Sequence, residues 1–275
     1  MVNDAPAQAE FDAAEPRDRE RIAVKALARL NGPSELHAAL LALLLPHDNA
    51  KALLAWRAEV GAAPELLVLP DQARSLTGAT RLPCFELLLS RMAPQPLAVR
   101  NALLESTRRV MRTPGRLRPI DRLHWLAMRL RLGDQAFFGS RTTAADDPSL
   151  LPESDVRAIS RFTAYLARMV PGGTAGPAWF SSVLARWRLQ IRPSDARAPD
   201  ADGLVQAMQE LQALAWSHRP VLVRGWVLTA MTHSRHHQLD DTAADALRLA
   251  STLLDSPLPP ELARHYSPAI QEVRR

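Results

Sequence analysis

The sequence predicts an all-α protein, a multi-helix bundle in two lobes, and three observations carry that reading. Hydrophobic residues make up 47% of the chain but aromatics only 5%, and the apolar content is mostly Leu and Ala. Such side chains lose little freedom in a helix, whereas strands favour β-branched and aromatic residues. Apolar residues also recur at helical spacing in segment after segment. Finally, those segments are cut at short intervals by Pro and Gly, which break helices and supply their ends.

In order along the chain, residues 1–19 mix Ala, Pro, Asp and Glu without an apolar period and read as a flexible leader. An N-terminal lobe spans residues 20–138. Its first helix carries Ile22, Ala23, Ala26, Leu27 and Leu30 on one face and ends at Asn31-Gly32-Pro33. Ser34 is the expected cap of a second helix that reaches Leu45 and is broken by Pro46. Asp48 is the expected cap of a third, with Ala52, Leu53 and Trp56, closed by Gly61. Helices follow over residues 65–76, 81–92 (Leu82, Phe85, Leu88 and Leu89 in register), 97–112 and 119–132. In the helix over 97–112, Leu103, Leu104, Thr107, Val110 and Met111 form the inward face. In that over 119–132, Ile120, Leu123, Ala127 and Leu130 do so.

Residues 139–155, rich in Ser, Thr, Asp and Pro, read as a linker. A C-terminal lobe then spans residues 156–266, with helices over 156–170, 178–191, 203–216, 219–232 and 242–254 and a tail over 267–275. The Pro- and Gly-rich run over residues 171–177 joins the first two. It lacks the Lys-Ser/Thr of a phosphate-binding loop and follows no strand, so it reads as a plain connection. One motif repeats: Pro96-Leu97-Ala98-Val99-Arg100 is echoed by Pro220-Val221-Leu222-Val223-Arg224. Each opens a helix, and each helix is followed by a break, an acidic residue (Asp121; Asp240 and Asp241) and a second helix. The pattern predicts two related helical hairpins, one per lobe.

The net charge is +5 and the pI about 10.2, nearly all of the positive charge being arginine. Such a balance makes anionic partners available to the chain. The densest run is Arg108, Arg109, Arg112, Arg116, Arg118 and Arg122, continued by Arg129 and Arg131. Its spacing makes it a candidate anion- or nucleic-acid-binding surface, although Trp125 is the one aromatic within it. Trp179, Trp187, Trp216 and Trp226, with arginines nearby, are candidate protein-interface residues, because Trp and Arg are enriched at binding hot spots. His233, His236 and His237 with Asp240 have the residue types and spacing of a weak metal-ligand cluster. Against that stands the ordinary role of His at a helix C-terminus, where it offsets the dipole.

No catalytic constellation is visible. There is no Gly-x-Ser-x-Gly elbow, Ser181 and Ser182 have no evident basic partner in the sequence, and no carboxylates pair by spacing. The single cysteine, Cys84, sits in an apolar helical pattern and reads as buried filler. It permits no internal disulfide, in keeping with a reducing compartment. The acidic N-terminus is unlike a signal peptide, and the apolar run over residues 36–45 is too short to span a bilayer. The expectation is a cytoplasmic, non-enzymatic protein that binds another protein and inserts in no membrane, with no cofactor.

Four stretches carry a family resemblance: LALLLPHD near residue 45, RLPCFELLLSRM from Arg81, RRVMRTPGRLRPIDRLHWLAMR from Arg108, and ALRLASTLLDSPLPPEL near the C-terminus. Over residues 20–262 the chain resembles the C-terminal cytosolic, TerB-like helical extension of bacterial HtpX-like membrane zinc metalloproteases. The protease's His-Glu-x-x-His signature and its membrane helices are absent. Pro114-Gly115 stands where TerB-like modules carry Asp-Gly, with Asp121 alone keeping the later acidic position, and no Gly precedes Asp240. The resemblance therefore implies TerB-like hairpins without the enzyme or a TerB metal site, and an adaptor or scaffold whose partner is a membrane protease or another complex.

Overall fold

Proline stands at the first position of several helices, at Pro16, Pro33, Pro119 and Pro260. A computed structural model describes residues 15–46, 48–61, 63–115, 117–133, 151–187, 189 and 197–273, with side chains up to Tyr266 in the last helix. The described residues form thirteen α-helices and no strand. These are α1 (Pro16–Leu27), α2 (Pro33–Leu44), α3 (Ala50–Val60), α4 (Leu69–Ser75), α5 (Gly78–Met92), α6 (Leu97–Arg112) and α7 (Pro119–Leu132). After residues 134–150 come α8 (Glu153–Leu166), α9 (Gly176–Arg186), α10 (Ala201–Gln212), α11 (His218–His233), α12 (Asp241–Leu253) and α13 (Pro260–Val273). Short 3-10 turns occupy Pro64–Leu66 and Arg235–His237. The chain divides into two units, one of residues 1–121, 128–134 and 266–275, the other of residues 122–127 and 135–265.

In the first unit α2 is central. Leu36 and every residue from Ala38 to Leu44 are buried, with α3, α4, α5 and α6 packed around the helix. A helix apolar on all sides has no face to give to water, so it takes the middle. Trp56 of α3 is fully buried against it and donates its indole N–H to the Ala38 carbonyl at 2.9 Å. Glu20 of α1 serves the start of α5 from outside that helix. One of its oxygens accepts from the Thr77 amide at 3.0 Å and from the hydroxyls of Thr77 and Thr80, each at 2.6 Å.

Arginines close the opposite helix ends. Arg81 of α5 donates to the carbonyls of Leu43, Leu45 and Ala73 at 3.0, 2.9 and 3.2 Å, at the ends of α2 and α4. Arg91 donates to those of Ala28 and Leu30 just past α1, at 2.6 and 2.8 Å, and Arg100 to that of Leu132 at the end of α7, at 2.9 Å. The last carbonyls of a helix have no partner within it, and a cation there also meets the negative end of the dipole.

In the second unit α8 packs on α9 and α10, and α11 packs on α9 and α12. Phe162, Tyr165, Trp179 and Trp226 are fully buried. The Trp226 indole N–H donates to Thr163 Oγ1 at 3.0 Å, and that of Trp179 to the Trp226 carbonyl at 3.2 Å. The Phe162 and Trp226 rings tilt at 40° with centroids 5.6 Å apart. Gly225 lets the Trp187 indole lie close on α11, since a β-carbon there would stand 3.0 Å from its nitrogen. Arg219 repeats the clamp of the first unit, donating to the carbonyls of Gln212, Leu214 and Leu254 at the ends of α10 and α12.

Several expected boundaries move. Residues 16–19 of the expected leader begin α1, since Pro16 at the first position pre-sets the helical φ. Gly32, not Ser34, precedes α2, and Glu35 reaches back to accept from the Gly32 amide at 3.1 Å. Asn49, not Asp48, caps α3 by accepting from the Ala52 amide at 2.9 Å. The segment over residues 65–76 splits at Pro64–Leu66 and α4, and α10 stops at Gln212. The linker lies outside the described residues up to 150, and its last three residues open α8. The tail continues α13 to Val273. Met111, Ile120 and Leu130 are half-buried rather than core.

The repeated motif opens two helices of 16 residues each, α6 and α11. Their registers differ: Pro96 precedes α6, whereas Pro220 lies inside the first turn of α11. Arg100 serves a helix end, while Arg224 pairs with the Glu261 carboxylate at 2.9 Å.

Candidate functional site

The last two turns of α6 and the start of α7 carry the arginine surface. Arg108 pairs with Glu105 at 3.3 Å and Arg118 with Asp121 at 2.7 Å. Arg109 grips both oxygens of Glu59 on α3 and also donates to Ser106 Oγ at 3.2 Å. Hydrogen bonding to Arg109 holds the Glu59 carboxyl down at about 2. Arg112 is exposed, Arg122 is half-buried, and Arg116 lies outside the described residues. A carboxylate therefore faces three of the six arginines, which lowers the local charge available to a phosphate backbone. Trp125 is half-buried.

The four tryptophans separate. Trp179 and Trp226 are fully buried and Trp187 nearly so, which removes these three from any interface. Their indoles fill the core between α8, α9 and α11, the ordinary place for a large ring whose N–H finds an acceptor. Trp216 is different. It sits in the turn between α10 and α11 with 74% of its surface exposed, and Val221 in the first turns of α11 is 55% exposed. Arg224, one helical turn beyond Val221, is exposed.

The histidines do not converge. His233 ends α11 and lies 2.9 Å through Nε2 from Ser182 Oγ on α9. His237 Nδ1 lies 3.2 Å from the Met231 carbonyl, and His236 and His237 are exposed. Asp240 caps α12, accepting from the Ala243 amide at 2.7 Å. Among the described residues no group of three or more His, Cys, Asp or Glu is placed to hold a metal ion. The geometric reason is the chain reversal after α11: His236 and His237 have φ of 54° and 56°. That left-handed turn, costing on the order of 1 kcal/mol per residue, breaks the helical face that would have aligned His233 with His237.

The reversal instead shapes a cavity of about 440 Å³ in the second unit. One wall is the connection over residues 171–175; the other carries His233, Ser234, Arg235, Gln238 and Asp240. Gly172, at φ +117°, lies so close to Asp240 that a β-carbon would stand 2.1 Å from its Oδ2.

Two features escape a reading of the sequence. Ser182 does have a basic partner, His233, which stands 51 residues away. No carboxylate bonds to that imidazole among the described residues, so the pair lacks the orienting acid of a triad and acts as a tie between α9 and α11. The arginine clamps on helix ends likewise join residues far apart, and only the helix end itself, marked by Pro or Gly, hints at the acceptor. Cys84 is buried, and burial pushes its thiol up to about 12, which leaves it inert as a nucleophile. Among the described residues no helix is long and apolar enough to cross a membrane. Comparison of the chain with protein-family models, with curated proteins and with solved structures gives no match.

Proposed function

We propose that the chain is a non-catalytic adaptor or scaffold that binds another protein through the exposed apolar side chains of Trp216 and Val221 at the start of α11. The observation that supports this reading is Trp216, 74% exposed in a chain where Trp56, Trp179 and Trp226 are fully buried, with Val221, five residues on, 55% exposed. Burying such an indole against a partner gains on the order of 3 kcal/mol from apolar area alone. Arg224, one helical turn beyond Val221 and paired with Glu261, is a polar group of the kind that rims binding hot spots. A membrane protease as the partner rests on the sequence resemblance alone, and a cytoplasmic location on the single cysteine, which permits no internal disulfide.

The test is affinity capture from the native cell, with the wild-type chain and the Trp216→Ala/Val221→Asp double variant as paired baits. A partner recovered by the wild type and depleted at least tenfold by the double variant, at equal thermal stability, supports the proposal. Equal recovery by both baits overturns it.

A further inference from the structure

We infer that the cavity between the connection at residues 171–175 and the reversal after α11 is a small-molecule site. Its ligand class is a small organic carboxylate that also carries an amine or hydroxyl donor, as an α-amino acid or a 2-hydroxy acid does. The cavity volume, about 440 Å³, lies in the range of sites that enclose small ligands.

The lining sets the chemistry. Arg235 contributes a guanidinium that has no carboxylate partner among the described residues, unlike Arg108, Arg109, Arg118 and Arg224. A guanidinium grips a carboxylate with two parallel hydrogen bonds. On the same wall, Asp240 spends one oxygen, Oδ1, on the Ala243 amide and keeps Oδ2 against Gly172. That second oxygen is an acceptor for an ammonium or hydroxyl hydrogen. The Gln238 amide donates to the Arg235 carbonyl at 3.1 Å, which leaves its side chain, without a hydrogen-bond partner among the described residues, to offer both a donor and an acceptor.

A cation and an anion on one small cavity select a ligand that carries both signs, or an anion with a donor beside it. They disfavour a dianionic phosphate, which would meet the Asp240 carboxylate. The backbone is shaped for the same end. Gly172 takes a conformation that side chains rarely adopt, and the consecutive left-handed residues His236 and His237 turn the chain so that Arg235 and Gln238 line one cavity. Non-glycine residues held in the left-handed region, as His236 and His237 are, concentrate where a ligand is clamped.

The experiment is ligand-observed NMR and calorimetry on the full chain with glycine, L-serine, L-glutamate, L-lysine, L-leucine, L-lactate and inorganic phosphate as probes. Wild type, Arg235→Gln and Asp240→Asn are compared. Asn keeps the helix cap, so the second variant removes charge and not the fold. The expected result is saturable binding of at least one amino or hydroxy acid with a submillimolar Kd. Arg235→Gln should weaken it about tenfold or more. Asp240→Asn should weaken amine-bearing probes more than lactate, which separates the two ligand sources. No saturation by any organic probe in the millimolar range overturns the inference. So does binding unchanged in Arg235→Gln, or phosphate binding tighter than every carboxylate.

Discussion

Arg81 donates through Nη2 to the carbonyl of Leu45, 2.9 Å away, just past the end of α2. The same guanidinium holds Leu43 and Ala73, so one side chain closes two helix ends. Replacing it by Met keeps the stem and strands those half-buried carbonyls. The expected loss is about 3 kcal/mol, because bonds from a charged donor are worth more than neutral ones and a stranded acceptor carries its own desolvation cost. Denaturant unfolding of Arg81→Met checks this, and Arg219→Met should behave alike in the second unit, where Arg219 reaches Gln212, Leu214 and Leu254.

Trp226 and Trp216 predict opposite outcomes for one substitution. Trp226→Ala empties a fully buried site and removes the bond to Thr163, so about 3–5 kcal/mol should be lost. Trp216→Ala removes a ring already in solvent and should change stability by no more than about 0.5 kcal/mol. Thermal melts of the two variants separate a core residue from a binding residue.

The fold was legible where the pattern is local. Residues 97–112 and 119–132 form helices with the bounds their periodicity predicts, because Pro and Gly flank both. It was less legible at α3, where Asp48 and Asn49 are adjacent cap formers and only φ and ψ choose between them. The surroundings of the arginines are the least legible part. Spacing in sequence cannot tell an Arg that faces solvent from one that reaches a carbonyl 63 residues away, as Arg91 reaches Ala28. The tryptophans divide for a reason that spacing does not carry. Composition groups Trp216 with Trp226, and the end of α10 at Gln212 sets them apart by leaving Trp216 in a turn.

Cys84 should be silent to thiol reagents. It is buried in α5, and burial with the nearby Glu20 charge pushes its thiol up to about 12. Colorimetric labelling of the native chain at neutral pH is expected to be at least a hundredfold slower than in denaturant. Labelling at the denatured rate would show that α5 opens readily.

At Gly172 the contact with Asp240 makes a specific genetic prediction. Gly172→Ala places a β-carbon onto the carboxylate and asks Ala to hold φ +117°, so the variant should be destabilised by about 2 kcal/mol or more. Asp240→Ala alone should cost about 1 kcal/mol by uncapping α12. In the double variant the steric part disappears while the backbone part stays, so the two losses should sum to less than their parts. Full additivity by chemical denaturation would show that the contact carries no energy.

The pH dependence of stability should show two acid steps in the first unit. Burial lowers the pKa of His37 below its ordinary 6.5, with Glu59 opposing and Arg109 reinforcing the shift. The unfolded chain therefore takes up this proton first, and stability starts to fall as pH drops below about 6.5. Glu59 shifts in the same direction for another reason. Its bond to Arg109 takes the carboxyl from 4.5 to about 2, so its contribution is whole above pH 4.5 and drains away as pH falls toward 2. Urea midpoints measured across pH should decline in both windows. His37→Gln should flatten the first decline and slightly soften the second, since the His37 charge helps hold Glu59 down, while Glu59→Gln should soften the second strongly. Glu59→Gln should also deepen the first, because removing the Glu59 charge takes away what raises His37. A first decline unchanged in His37→Gln would assign it to another group.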